Sequence, residues 1–186
     1  MNSSIKISLV FIVMFMCVSQ VFADSMQERR ITISASIFPK IIAVDQDLAN
    51  KLDKEGYVRL AIIYSSSKTK AQKISKIMTR KVKNIAGNKI KIELIDINNR
   101  GFEDREKLTG IFFVDEMTDD ELGKLVSYSS ENNVLLFSPF EGDIERGVMS
   151  SIFVGIKIRP YFNVKSMKLA NVNLKPALIK VSKTYE

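Results

Sequence analysis

Histidine is absent from all 186 residues, and the single cysteine, Cys17, stands close to the N-terminus. Without histidine there can be no histidine-based triad and no imidazole acid–base shuttle. One cysteine excludes a disulfide within the chain and a zinc site of the Cys/His type. No glycine-rich phosphate loop follows any apolar run. Carboxylates remain, at Glu103-Asp104, Asp119-Asp120-Glu121 and between Glu141 and Glu145. A carboxylate pair could serve glycosidic chemistry, but these clusters sit where helices begin or loops face water, and capping and solvation account for them. The expectation is a protein that is not an enzyme and carries no metal or cofactor.

The N-terminus reads as a leader. Lys6 precedes an apolar run from Ile7 to Val18, and Val21-Phe22-Ala23 offers small residues around a cleavage point. This is the pattern of a secretory signal peptide removed after Ala23. A run of about a dozen residues is short for a membrane span, and an uncleaved anchor is the alternative. Met16 before Cys17 is large where lipoprotein processing wants a small residue. Loss of residues 1–23 takes away Lys6 and Cys17 and leaves 27 basic against 21 acidic side chains. Stability must then come from the core of a single domain over 24–186. Asp24 to Arg30 is polar and is read as a loose leader.

From residue 58 onward, strand and helix signals alternate. Val58 to Tyr64 reads as a strand and Ser65-Ser66-Ser67 as a turn that can cap a helix. Thr69 to Ala86 reads as a helix with Ala71, Ile74, Ile77, Met78, Val82 and Ile85 on one face, ended by Gly87. Ile90 to Ile97 alternates as a strand, Asn98 to Gly101 is a turn, and Glu103 to Leu108 suits a short helix. Gly110 to Val114 is a buried strand. Thr118 and Glu121 form a capping box for the next helix, which Asn132-Asn133 ends. This alternation argues for an α/β domain: a mostly parallel sheet with helices on both faces. No repeat or linker marks a second domain.

The stretch from Val134 to Lys183 organises the remainder. Val134 to Ser138 is an apolar strand broken by Ser-Pro-Phe-Glu-Gly-Asp. Val148 to Ile158 and Tyr161 to Val164 are two further strands, expected to form an antiparallel edge hairpin about Arg159-Pro160. A last helix is expected from an Asn173 cap, with Pro176 in its first turn and Leu174, Ala177, Leu178 and Val181 at helical spacing.

Arg146-Gly147 before an apolar strand, Phe162-Asn163-Val164, the Asn173-Leu174 end of the next run and the terminal Leu178-Ile179-Lys180-Val181 together resemble the C-terminal signature of the YfiR-like periplasmic proteins. That family typically shows a glycine pair before the strand, where Arg146-Gly147 stands here. The resemblance spans most of residues 31–183. It implies a periplasmic regulator that binds the outer domain of an inner-membrane signalling protein, often a diguanylate cyclase, and so controls cyclic-di-GMP output and biofilm formation. Some members carry cysteine pairs; this chain does not, and thiol-based sensing is not implied. The resemblance also bears on residues 31–44. Ile31, Ile33, Ala35 and Ile37 alternate like a strand, and Ala35, Phe38, Ile41 and Ile42 fit a helix. Propensity favours a strand with helix only from Ser36; the resemblance favours helix over most of the segment, and helix is the reading taken.

Three surfaces are candidates for binding. Ser65, Ser66 and Ser67 follow a parallel strand and lead a helix N-terminus, a natural seat for an anion. Phe140, Glu141 and Arg146 lie in the loop after another strand and could grip a ligand or a partner loop. Ser65–Ser67 could equally be caps and Phe140 core. On the basic helix, Lys73, Lys76 and Arg80 could face an anionic envelope component, or form a solvated helix face. Nucleic acid is disfavoured, since the chain reads as exported and no aromatics interleave the lysines. A small-molecule binding module and a homodimer stay open.

Overall fold

The computed structural model describes residues 25–99 and 107–186. An eight-stranded sheet runs in the order β2-β3-β1-β4-β5-β6-β7-β8. The strands are β1 (Val58–Tyr64), β2 (Asn84–Ile85), β3 (Asn88–Asp96), β4 (Gly110–Phe113), β5 (Leu135–Phe137), β6 (Ser150–Val154), β7 (Ile158–Asn163) and β8 (Lys183–Tyr185). Strands β3, β1, β4, β5 and β6 are parallel neighbours. Counted among themselves they have the doubly wound 2-1-3-4-5 order, with the topological switch between β1 and β4. The expected α/β architecture is present: helices α2 (Lys68–Lys81) and α3 (Asp119–Glu131) follow β1 and β4. Their crossovers run in opposite directions, so right-handed connection puts them on opposite faces. The β6–β7 pair is the antiparallel hairpin.

Helix α1 covers residues 25–42. Ile31, Ala35, Phe38, Ile41 and Ile42 are all fully buried, the i, i+3/i+4 spacing of one helix face. The apparent alternation of Ile33 and Ile37 does not make a strand; both are partly buried flanks of that stripe. Residues 25–30 belong to the helix, so they are not a loose leader. Phe38 packs on Phe112 and Phe137 at ring separations of 5.6 and 5.5 Å, which fixes α1 across β4 and β5. The crossing is close. A Cβ on Gly110 would stand 2.7 Å from Ile42 Cδ1 and 2.8 Å from Phe38 Cζ, so any side chain there must displace one or both.

Several boundaries differ from the sequence reading. Helix α2 stops at Lys81 rather than Ala86, because Asn84-Ile85 pairs with Lys89-Asn88 as a small hairpin. The β6–β7 turn is Gly155 to Lys157; Arg159 and Pro160 lie within β7, opposite Phe153 and Ile152. Asn163 caps a short helix, α4 (Val164–Leu169), that the sequence reading missed. The last helix, α5 (Pro176–Val181), starts two residues later than expected, with Lys175 rather than Asn173 at its N-cap. Asn173 instead accepts from Gln46. Strand β8 was also unforeseen; it adds parallel to β7. The Thr118–Glu121 capping box is present with both of its bonds. The helix expected over 103–108 falls, up to residue 106, outside the described residues; Lys107 and Leu108 are not helical.

Candidate functional site

Two junctions at the carboxyl ends of the parallel strands are places where a ligand could sit; the chain's own side chains fill one and the other is open. The first is the β1/β4 switch point. Ser67 caps α2 by accepting from the Lys70 amide, as its position suggested. The amides of Ser65, Ser66 and Ser67 converge on one point, and that point is occupied by Asp115 Oδ2 at 3.0, 3.0 and 3.3 Å. Lys70 Nζ reaches Oδ1 at 3.4 Å. Burial pushes the Asp115 carboxyl up, but the three amides and Lys70 outweigh it and hold the group below the ordinary carboxylate range. The three amides at Ser65–Ser67, read from the sequence as a candidate seat for an anion, are taken up by the chain's own carboxylate.

The second junction lies where β5 and β6 part. Their pairing is confined to Phe137 against Ser150. Beyond it the chain turns away from the sheet: Ser138 Oγ donates to Asp143 Oδ2 at 2.5 Å and accepts from the Phe140 amide at 3.0 Å. Strand β6 past Ser150 thus has no strand on its β5 side. Arg30, from the second turn of the described part of α1, fills the gap. Its Nε donates to Pro139 O, its Nη2 to Ile152 O at 2.7 Å and its Nη1 to Glu141 Oε1 at 2.7 Å. One guanidinium thereby ties the diverging loop to the open strand edge. Burial lowers the Arg30 pKa, and Glu141 offsets part of that.

Arg30 divides the opening in two. Toward α1 lies a groove of about 680 Å³, bounded by Met26, Ile33, Phe140, Ile152, Val154 and Ile158. Met26 is 66% exposed, and Val154 and Ile158 are also exposed. The charged groups at its rim are Arg29, Arg30, Glu116 and Glu141, and Gln27 holds Glu116 at 2.7 Å. On the other side is a smaller crevice of about 330 Å³, reached by Glu145, Ser151, Tyr161 and Lys183. Ser151 Oγ is buried there with no hydrogen-bond partner, and the Tyr161 hydroxyl donates to Glu145 at 3.0 Å.

The sequence-derived candidates therefore do not form one site. Phe140 and Glu141 line the groove. Phe140 is also 6% exposed and stacked on Phe113, so it is at once core and wall. Arg146 points elsewhere: it pairs with Asp143 at 2.8 Å and Asp119 at 2.5 Å and ties the loop to the start of α3. Gly147 beside it has φ +103°, a turn that disfavours other residues. Ser65–Ser67 lie at the other junction. Lys73, Lys76 and Arg80 are exposed along α2, and Lys73 faces Glu28 of α1 at 3.3 Å. Arg30, Asp115 and Ser151 were not anticipated. Extending the α1 period backward would have put Met26, Arg30, Ile33 and Ile37 on one stripe; nothing local points to the other two. Among the described residues no cluster of histidine, cysteine, aspartate or glutamate could hold a metal ion, and no helix is long and apolar enough to cross a membrane.

No family model and no curated protein matches the chain. Solved structures do. A conserved domain protein from Vibrio cholerae O1 biovar El Tor superposes with a TM-score of 0.53 at 10% identity, over 74% of this chain and 57% of that one. The ABC domain from Streptococcus pneumonia in complex with L-Trp gives a TM-score of 0.49 at 12% identity, over 77% of this chain and 61% of that one. The chain spans about three-fifths of the length of either. At such identity the likeness concerns the α/β fold alone.

Proposed function

We propose that the protein is an exported, non-enzymatic binding module that regulates a membrane signalling protein by docking on its outer domain. This is the role implied by the YfiR-like resemblance, with a diguanylate cyclase as the partner class. The observation that carries the reading is the groove beside Arg30. Its apolar walls come from two separate elements, α1 and the β6–β7 hairpin, and its rim leaves Met26, Val154 and Ile158 in water. Contiguous exposed apolar surface rimmed by charge marks a protein contact more often than a catalytic centre. Regulation requires that the module bind one state of its partner better than the other.

The test is recovery of partners by the protein lacking residues 1–23 from detergent-solubilised membranes of its host, at low and high salt. The expected result is an inner-membrane signalling protein retained at both salts, and lost with Met26→Asp or Val154→Asp. Recovery of no such protein, or recovery that ignores both substitutions, would overturn the reading. A second reading, a small-molecule binding module, is favoured by the unpaired Ser151 hydroxyl beside the 330 Å³ crevice. A ligand-dependent rise in Tm that Ser151→Ala abolishes would support it. Ser65–Ser67 take no part in either opening: the groove is lined by Phe140 and Glu141 and by none of the three serines.

A further inference from the structure

The surface built by residues 154–186 differs from the rest of the molecule in two ways at once. It carries Val154, Ile156, Ile158, Leu169, Val181 and Tyr185, six of the seven large apolar side chains that the described residues leave exposed. It also carries seven basic residues against one acidic residue, Glu186. Six of those bases, Lys157, Arg159, Lys165, Lys168, Lys175 and Lys180, are exposed, and none of the seven has a carboxylate partner among the described residues. Lys183 and Arg159 lie instead against the Phe153 ring, with Lys183 Nζ 4.0 Å from its centroid. On α1, α2 and β3 the bases are mixed: Arg30, Lys70, Lys73 and Lys91 face carboxylates, whereas Lys76 and Arg80 are exposed on α2, where no described residue exposes a large apolar side chain beside them. Strands β7 and β8 close one edge of the sheet, the Gly155–Lys157 turn leads into β7, α4 follows it, and α5 leads into β8.

We propose that this border is a membrane-contact surface that takes an anionic lipid bilayer. Ile156 is fully exposed at the tip of the hairpin, with Lys157 next to it and Arg159 three residues on. An apolar tip flanked by bases can enter the interface while the cations stay among the head groups. The surface is rich in lysine, a mobile point charge suited to a diffuse field of phosphates, whereas a fixed carboxylate on a protein favours arginine's fork. A second copy would bring like charges together and is disfavoured on the same count. The surface shares Val154 and Ile158 with the groove, so the test rests on Ile156, Lys157 and Lys180, which do not line it.

The experiment is vesicle co-sedimentation of the protein lacking residues 1–23, which keeps every element described above and lacks the apolar leader that would itself bind lipid. Vesicles of phosphatidylcholine alone are compared with vesicles containing about one-third phosphatidylglycerol, at low and high salt. The expected result is binding to the anionic vesicles only, weakened by salt. Ile156→Ser and the pair Lys157→Glu with Lys180→Glu should each reduce it about tenfold, with circular dichroism unchanged. The pair Lys73→Glu with Lys76→Glu on α2 should leave it near the parent level. Equal binding to both vesicle types, binding to neither, dimerisation in place of binding, or loss of binding through the α2 pair alone would each overturn the proposal.

Discussion

Asp115 Oδ2 accepts the Ser66 amide at 3.0 Å, with Ser65 and Ser67 donating to the same oxygen. In doubly wound sheets this crevice is where ligands bind, and here an acidic side chain from the end of β4 occupies it. The anion seat of the fold has become an internal tie between β1, α2 and β4.

Asp115→Ala should therefore destabilise the protein by about 2 kcal/mol, since three amides lose their acceptor. The same variant leaves an empty anion seat, so inorganic phosphate should raise its Tm and leave the parent's unchanged. Asp115 has a depressed pKa. The stability it lends is present above the ordinary aspartate value of about 3.9 and is lost as the pH falls through the lower folded-state value. Urea titrations from neutral pH into acid should show Asp115→Asn losing that acid-side drop. An unchanged acid limb would show that the contact is not formed.

Arg30→Ala should release the 138–147 loop from the edge of β6. The loss is about 2 kcal/mol, the scale of charge-assisted bonds in a largely buried setting. Lysine should not restore it, because a single ammonium cannot span two carbonyls and a carboxylate. Amide exchange is the informative readout. Residues 140–145 and 151–154 should exchange faster in the variant, while β1 and β4 stay protected. Uniform acceleration across the sheet would mean that Arg30 supports the whole fold rather than this junction.

Gly110→Ala should cost about 1–3 kcal/mol through the clash with Phe38 and Ile42. Ile42→Val shortens one of the two obstructing side chains, so the double variant should recover part of the loss in denaturant titration. Strict additivity of the two substitutions would contradict the close crossing of α1 over β4.

Asp143 gives a pH dependence of the opposite sign to Asp115. Burial pushes its carboxyl up, and Ser138 and Arg146 offset only part of this. A carboxyl raised in the folded state contributes fully below its unfolded value of about 3.9 and loses that contribution as the pH rises through the folded-state value. Asp143→Asn cannot ionise. Its stability should fall less than the parent's between pH ~4 and the raised pKa, measured by urea denaturation at a series of pH values. An identical slope in both proteins would sink this assignment.

Much of the scaffold was legible because local chemistry and tertiary packing agree there. β1 runs over the same residues that its apolar, β-branched run indicated, and the Thr118 capping box forms within four residues of sequence. The readings that failed involve residues whose partners are remote. Arg30 looked like part of a polar leader because the groups it binds, Pro139, Glu141 and Ile152, are more than 100 residues away. Strand β8 was missed because Lys183–Tyr185 has neither the length nor the alternation of a strand and is defined only by the free edge of β7. Helix α2 was drawn too long since Val82 and Ile85 continue its apolar period, and pairing with Lys89 ends it instead.

The sequence by itself determined the α/β class, the order of strands and helices along the chain, and the absence of histidine chemistry and of a disulfide within the chain, since periodicity, caps and residue inventory are local properties. Tertiary structure decided which junction is filled and which is open. An amide cluster at Ser65–Ser67 and a carboxylate at Asp115 attract wherever they meet, but only the parallel register of β1 with β4 brings them within hydrogen-bond distance. The early separation of β5 from β6 likewise leaves an edge that α1 covers with Arg30.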